Sequence, residues 1–255
     1  MDKPYFFRLR FFLFLLREIP ALLGALGLAA CGALPTPLPP PPTEWIRLQI
    51  SPTLANQMGL FSACTPSGFG LAVQQAEGVS FATGQTDLTL QWGAPDPVSS
   101  FASVVGTDSL TVVVHPDNPV TSLSLEALLS TYTGKLPAWD WDYLGQNPAP
   151  LTAYAYSPAL DIQRIFTSAW SATPSSLNRE VALVPGPAEM RAAVATDRSA
   201  LGFLPHTWVD SSVKPIRIDP VPLSWQKQPI LAISSMEPQG AARAFLLCLQ
   251  EEKEP

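Results

Sequence analysis

The sequence predicts an α/β protein of two lobes, each a mainly parallel sheet flanked by helices. Two observations point there. Short apolar or alternating runs, Ile46–Ile50, Leu88–Trp92, Leu110–Val114, Leu151–Tyr154 and Ile230–Ile233, recur between segments of helical period, and strands that alternate with helices build parallel sheets. A β-branched strand ending at Val114 then breaks at His115-Pro116-Asp117-Asn118-Pro119 and re-enters as a helix, the pattern of a chain leaving one lobe for another.

Ahead of the folded part, Lys3, Arg8, Arg10 and Arg17 stand among Phe and Leu, and an apolar run follows from Ile19 to Ala30. A basic start, a run of that length and small residues before a cysteine make a secretory signal, residues 1–30. Arg17 and Glu18 cut the apolar stretch below the roughly 20 residues that a membrane span needs. Leu28-Ala29-Ala30-Cys31-Gly32 fits the lipobox of bacterial lipoproteins, which makes Cys31 the lipidated residue and the membrane a partner through the anchor. Residues 31–43 are rich in proline, favour polyproline II at about 3.1 Å per residue, and read as a semi-rigid tether; a low-complexity leader without a spacing role has the same composition. The net charge of −6 and the lack of a Lys/Arg run in the folded part argue against nucleic acid as a partner.

The folded part opens with Ile46, Leu48 and Ile50 alternating with Arg47 and Gln49, a strand. Ser51-Pro52-Thr53 follows, and Leu54, Met58, Phe61 and Cys64 then share one helical face. Hydroxyl residues at such a helix start suit a polar or anionic ligand, and they equally serve as ordinary N-caps. Phe69–Gln74 and Leu88–Trp92 read as further strands, with Gly84-Gln85-Thr86-Asp87 as the turn before the second. After the break, Leu125, Leu128, Leu129 and Tyr132 form the buried stripe of a helix capped by Ser124, with Glu126 in its first turn and Gly134, Lys135 and Pro137 as its stop.

Asp117-Asn118-Pro119, Leu123-Ser124-Leu125, Tyr132-Thr133-Gly134-Lys135 and Trp139 together resemble the crossing segment of the phosphate-binding proteins of ABC transporters. The resemblance implies a periplasmic-binding-protein-like fold (type II) with two crossings and a cleft between the lobes. Beyond Trp139, the strand Leu151–Tyr154 leads to Tyr156-Ser157-Pro158, where Ser157 as N-cap and Pro158 at the first position start a helix carrying Ile162, Ile165, Phe166 and Trp170. Pro187–Ala195 reads as a helix, and Ala200–Pro205 resembles the family's return strand. Ile216–Ile218, Ile230–Ile233 and a helix over Gln239–Gln250 complete the first lobe. The lobes so expected are 44–115 with 211–255, and 116–210.

The ligand site implied by the resemblance lies at the strand ends facing the cleft: Ser51, Thr53, Gln91, Trp92, Tyr156 and Ser157. Two departures from the family pattern stand out. Trp92 takes the place where the family presents an aspartate, and the arginine and Ser-Gly-Thr that wrap the oxyanion are replaced by a stretch holding Tyr156, Ser157, Asp161, Gln163 and Arg164. The bidentate contacts expected for phosphate therefore have no assigned donors.

With Cys31 lipidated, Cys64 and Cys248 remain, an even pair in an exported chain. A disulfide between them would tie the first helix to the last; two separate buried thiols satisfy the same count. No P-loop, Gly-x-Gly-x-x-Gly, Cys-x-x-Cys or His-Glu-x-x-His is present, and His115 and His206 each adjoin a proline at a proposed crossing. No metal, cofactor or catalytic residue is expected. The function implied is a lipid-anchored, extracytoplasmic solute-binding protein, not an enzyme, that captures a small-molecule or oxyanion ligand and delivers it to an ABC permease. A cell-surface sensor or protein-interaction domain that kept the fold without transport is the alternative.

Overall fold

The computed structural model describes residues 44–77, 86–93, 101–135, 138–139, 149–169 and 177–251. The proposed signal, Cys31 and the proline-rich tether lie outside them, as do Trp170 and the first two residues of the expected turn at 84–87. No helix among the described residues is long and apolar enough to cross a membrane.

In chain order the strands are β1 (Glu44–Ile50), β2 (Phe69–Gln75), β3 (Leu88–Trp92), β4 (Phe101–Asp108), β5 (Leu110–Val114), β6 (Ser122–Ser124), β7 (Ala138–Trp139), β8 (Ala149–Pro150), β9 (Thr152–Tyr156), β10 (Ala182–Val184), β11 (Ala200–Pro205), β12 (Lys214–Pro215), β13 (Arg217–Asp219) and β14 (Gln228–Ser234). The helices are α1 (Met58–Ala63), α2 (Leu125–Tyr132), α3 (Asp161–Thr167), α4 (Pro187–Thr196) and α5 (Gly240–Glu251), with 3-10 turns at Pro52–Gln57, His206–Trp208 and Leu223–Trp225.

Two five-stranded sheets result, in the orders β2-β1-β3-β14-β4 and β10-β9-β11-β5-β12. They repeat one plan. In the first, β14 runs antiparallel to both neighbours while β1, β2 and β3 pair in parallel; in the second, β5 takes the same position between β11 and β12. Four of the five strands in each sheet thus share a direction, as expected from the alternation of strands and helices. The central strands β3 and β11 are buried along their whole length, which explains their near-continuous apolar runs.

The passages between sheets fall elsewhere than expected. β4 ends at Asp108 in the first sheet, and β5 begins at Leu110 in the second, so the chain crosses at Ser109. The break at His115–Pro119 is instead a turn within the second lobe: Asn118 N–H donates to His115 O at 2.9 Å, and its side-chain amide reaches Arg198 O at 3.1 Å. The physical reason is pairing, because Leu110–Val114 lies antiparallel to Pro205–Leu201 and cannot belong to the other sheet. Likewise β12 pairs with β5, and β13 pairs with β6, so Lys214–Asp219 stays with the second lobe and the chain rejoins the first sheet only at β14.

The cap of α2 forms as expected, with Ala127 N–H donating to Ser124 Oγ at 3.1 Å. The start of α3 does not. Leu160 is its N-cap and Asp161 its first residue, while Ser157 closes a preceding turn in which Leu160 N–H meets Ser157 O at 3.0 Å. Behind the second sheet, Phe166 stacks on Phe203 at 3.9 Å and on Trp225 at 5.3 Å, and Tyr132 meets Phe166 edge-on at 4.8 Å. α4 lies so close to β11 that a Cβ on Gly202 would come within 2.5 Å of Met190 Sδ. In the first lobe, a disulfide joins Cys64 at the end of α1 to Cys248 of α5, with Phe61 and Phe245 packed beside it at 6.5 Å between ring centroids.

Candidate functional site

Three parallel strands, two from the first sheet and one from the second, deliver their carboxyl ends to one seam. β1 ends at Ile50, and Ser51 then caps the 3-10 turn, its Oγ accepting Thr53 N–H at 3.3 Å and lying 2.7 Å from the Thr53 hydroxyl. β3 ends with Gln91 and Trp92, both buried. β9 ends at Tyr156, and the turn after it places Asp161 at the head of α3. Outside the carboxyl ends of strands is where open α/β sheets bind ligands, because backbone N–H groups there lack sheet partners.

The centre of this seam is the Asp161 carboxylate. It accepts the Trp92 N–H at 2.9 Å, lies 3.1 and 3.0 Å from the Thr53 hydroxyl, and accepts the Ile162 N–H at 2.8 Å. The Ser51 hydroxyl also hydrogen-bonds to it. Asp161 is only 3% exposed. Burial pushes its carboxyl above the ordinary range, and the donors from Trp92, Ser51, Ile162 and Thr53 pull against that without cancelling it.

Beside the carboxylate is a narrow cleft lined by Gln49, Ser51, Thr89, Gln91 and Arg164, with room for one water molecule. Thr89 Oγ1, in its lining, is buried and has no hydrogen-bond partner among the described residues, and the same holds for Gln163 Nε2 in α3. Gln163 uses its other end, Oε1, to accept the Tyr156 N–H at 2.9 Å.

Of the residues picked from the sequence, Ser51, Thr53 and Trp92 meet around Asp161, and Gln91 lines the adjoining cleft. Trp92 contributes its backbone. Its ring is buried, and its Nε1 donates to Gln228 O at 3.3 Å. Tyr156 points the other way, into the second lobe, where its hydroxyl donates to Phe203 O at 2.8 Å and its ring meets Phe203 at 5.1 Å. Burial raises the Tyr156 hydroxyl well above the usual tyrosine value, so it stays protonated. Ser157 Oγ accepts the Ala159 N–H at 3.4 Å in its own turn. Asp161, which organises the site, lies in the stretch that replaces the family's oxyanion-binding motif and stands outside the six contacts expected from the sequence.

A second bridge runs alongside. Trp208, in the 3-10 turn after β11, donates its Nε1–H to Thr53 O at 2.7 Å, while Arg191 covers its ring at 5.6 Å and pairs with Asp210 at 2.8 Å. Trp225, on the return passage, donates to Ile165 O and Phe166 O at 3.1 and 3.2 Å. His115 Nδ1 accepts the Asp117 N–H at 3.0 Å in its own turn, and His206 Nδ1 lies 3.3 Å from the Thr111 hydroxyl of β5.

None of the protein-family models matches the chain, and neither does any curated protein. Solved structures do match in fold. A phosphate ABC transporter substrate-binding protein of Clostridium perfringens, with bound phosphate, superimposes with a TM-score of 0.70 at 18% identity, over 81% of this chain and 93% of that one. An ABC-type phosphate transport receptor from Vibrio cholerae gives 0.61 at 19%, over 82% and 94%. The CcmR regulatory domain of Synechocystis, in complex with 2-PG, gives 0.60 at 12%, over 83% and 98%. The chain therefore has the two-lobed α/β fold of phosphate-binding-type periplasmic binding proteins, an architecture that regulatory domains also use.

Proposed function

We propose that this chain is an extracytoplasmic solute-binding protein, anchored through lipid on Cys31 after loss of residues 1–30 and held off the membrane by residues 31–43. It captures a small ligand between its lobes and hands it to an ABC permease. Binding, not catalysis, is its task. The observation that carries the reading is the convergence of donors from the turn after β1 and the end of β3 on Asp161, at the head of the helix that follows β9 of the other sheet. The lobes of this reading are 44–108 with 228–255, and 110–219, with hinge closure about Ser109 and the segment 220–227. Ser51, Thr53, Gln91 and the Trp92 backbone line the seam from the first lobe; Tyr156 and Ser157 support the second.

Thermal unfolding of the full-length chain in detergent against oxyanions, amino acids and sugars tests this. A ligand at 100 times its dissociation constant stabilises by about 2.7 kcal/mol, which raises the midpoint by several degrees. A shift with one class supports the proposal. The absence of any shift, together with no permease or ATPase encoded beside the protein, would replace it with the second reading, a cell-surface sensor or interaction domain. That reading draws on a specific observation: the donors at the seam are already satisfied by the chain's own Asp161.

A further inference from the structure

We propose that Asp161 is the resident anion of an oxyanion pocket, and that its carboxylate bars free oxyanions from the seam. The inference rests on the reading of the seam as a ligand site, but not on what the natural ligand is.

The donors come from three separate elements. The Trp92 N–H at the end of β3, the Thr53 and Ser51 hydroxyls after β1 and the Ile162 N–H in α3 all point at one carboxylate, those of Trp92, Thr53 and Ile162 at 2.8 to 3.1 Å. Such a set of convergent N–H and O–H groups is what any small oxyanion requires, whether a carboxylate, a sulfate or a phosphate. Here the chain has supplied the anion from within. A second anion would find the donors around Asp161 already taken, and it would face a buried negative charge across a gap that admits one water. An oxyanion therefore binds at this place only where the carboxylate has gone. Beside Asp161 the cleft has room for one water, and Thr89 Oγ1, which lines it without a hydrogen-bond partner among the described residues, is positioned to meet that water.

Asp161→Ala removes the carboxylate and leaves the Trp92 and Ile162 N–H groups and both hydroxyls around a hole of carboxylate size. The test is thermal unfolding of full-length wild type, Asp161→Ala and Asp161→Asn in formate, phosphate and sulfate, with chloride at matched ionic strength as the reference. Formate is the probe that replaces the deleted atoms. Asp161→Ala should gain a formate-dependent rise of roughly 5 °C or more at saturation. Wild type should not move in any of the three anions, and Asp161→Asn, whose side chain still fills the hole, should not move in formate. Should the alanine variant fail to fold in chloride, soluble folded protein recovered only when formate is present gives the same answer. A wild-type rise in phosphate, sulfate or formate would overturn the proposal, as would an alanine variant indifferent to formate or an asparagine variant that responds to it. A ligand panel that fails on wild type would count against the solute-binding reading alone, since the response of the alanine variant does not depend on the natural ligand.

Discussion

Replacing Thr53 by valine tests how firmly the two lobes are joined at the seam. The change keeps the shape of the side chain and removes one hydroxyl, which is 1% exposed, 3.0 Å from the Asp161 carboxylate and 2.7 Å from Ser51 Oγ. A hydrogen bond to a charged group contributes about 1.5–3 kcal/mol, and the carboxylate, buried and unable to recruit bulk water, stays behind with fewer donors. Trp92, Ile162 and Ser51 remain to hold it, so a loss of about 2 kcal/mol is expected, or roughly 4–8 °C in the midpoint of a protein of this size. Urea unfolding at pH 7 of wild type, Thr53→Val, Asp161→Asn and the double variant measures it. The double-mutant cycle should give a coupling of about 1 kcal/mol or more, because the valine has little left to remove once the charge is gone. Additive losses, or a Thr53→Val cost below about 0.5 kcal/mol, would show that the contact does not hold the lobes together.

The other predictions use the same methods. Gly202→Ala should cost about 1–3 kcal/mol in urea, since the new methyl meets Met190 Sδ at 2.5 Å and Val194 Cγ2 at 2.9 Å and α4 must lift from β11. Replacing both Cys64 and Cys248 by serine should cost up to about 5 kcal/mol, the entropy of a loop of sequence separation 184, and a reducing agent should then leave the variant's midpoint unchanged while lowering that of wild type. Acid should act on the carboxylates in opposite senses. Burial holds Asp161 up, so the native state binds a proton that the unfolded chain releases, and its contribution grows as pH falls through its raised folded value. Asp87 and Asp197, where partial burial is outweighed by hydrogen bonds from Arg47 and from Ser199, and Asp210, held by the Ser212 hydroxyl and N–H, are all lowered, so their contributions are present at neutral pH and lost in acid, below about pH 4. Between pH 7 and 4, wild type should therefore gain stability relative to Asp161→Asn; parallel midpoint curves would refute the assignment.

Local chemistry made most of the fold readable. The alternation of Ile46, Leu48 and Ile50, the Ser124 cap and the β-branched run before Val114 each describe one element and depend on near neighbours alone. The even pair Cys64 and Cys248 went further, linking positions far apart because chemistry leaves few partners for a cysteine. β4 is not legible because it is an edge strand that carries the same residue type on both faces, Val104 exposed and Val105 buried. The crossing at Ser109 is not legible because the chain changes sheet while extended, with neither glycine nor proline to mark the place, whereas His115–Pro119 has every mark of a break and only turns. Asp161 is the most instructive miss. An aspartate at the head of a helix normally signals a solvated first turn, and the donors that justify burying it stand 69 and 108 residues away in the chain.

The disulfide has a consequence for how this molecule could come apart. Cys64 and Cys248 close a covalent ring that contains both passages between the sheets and the whole of the second sheet. A protease that cuts once anywhere between those cysteines nicks the ring without releasing a fragment, and only reduction then separates the halves. The second sheet is in this sense a bight drawn out of a closed loop, and the knot that secures it sits in the other lobe.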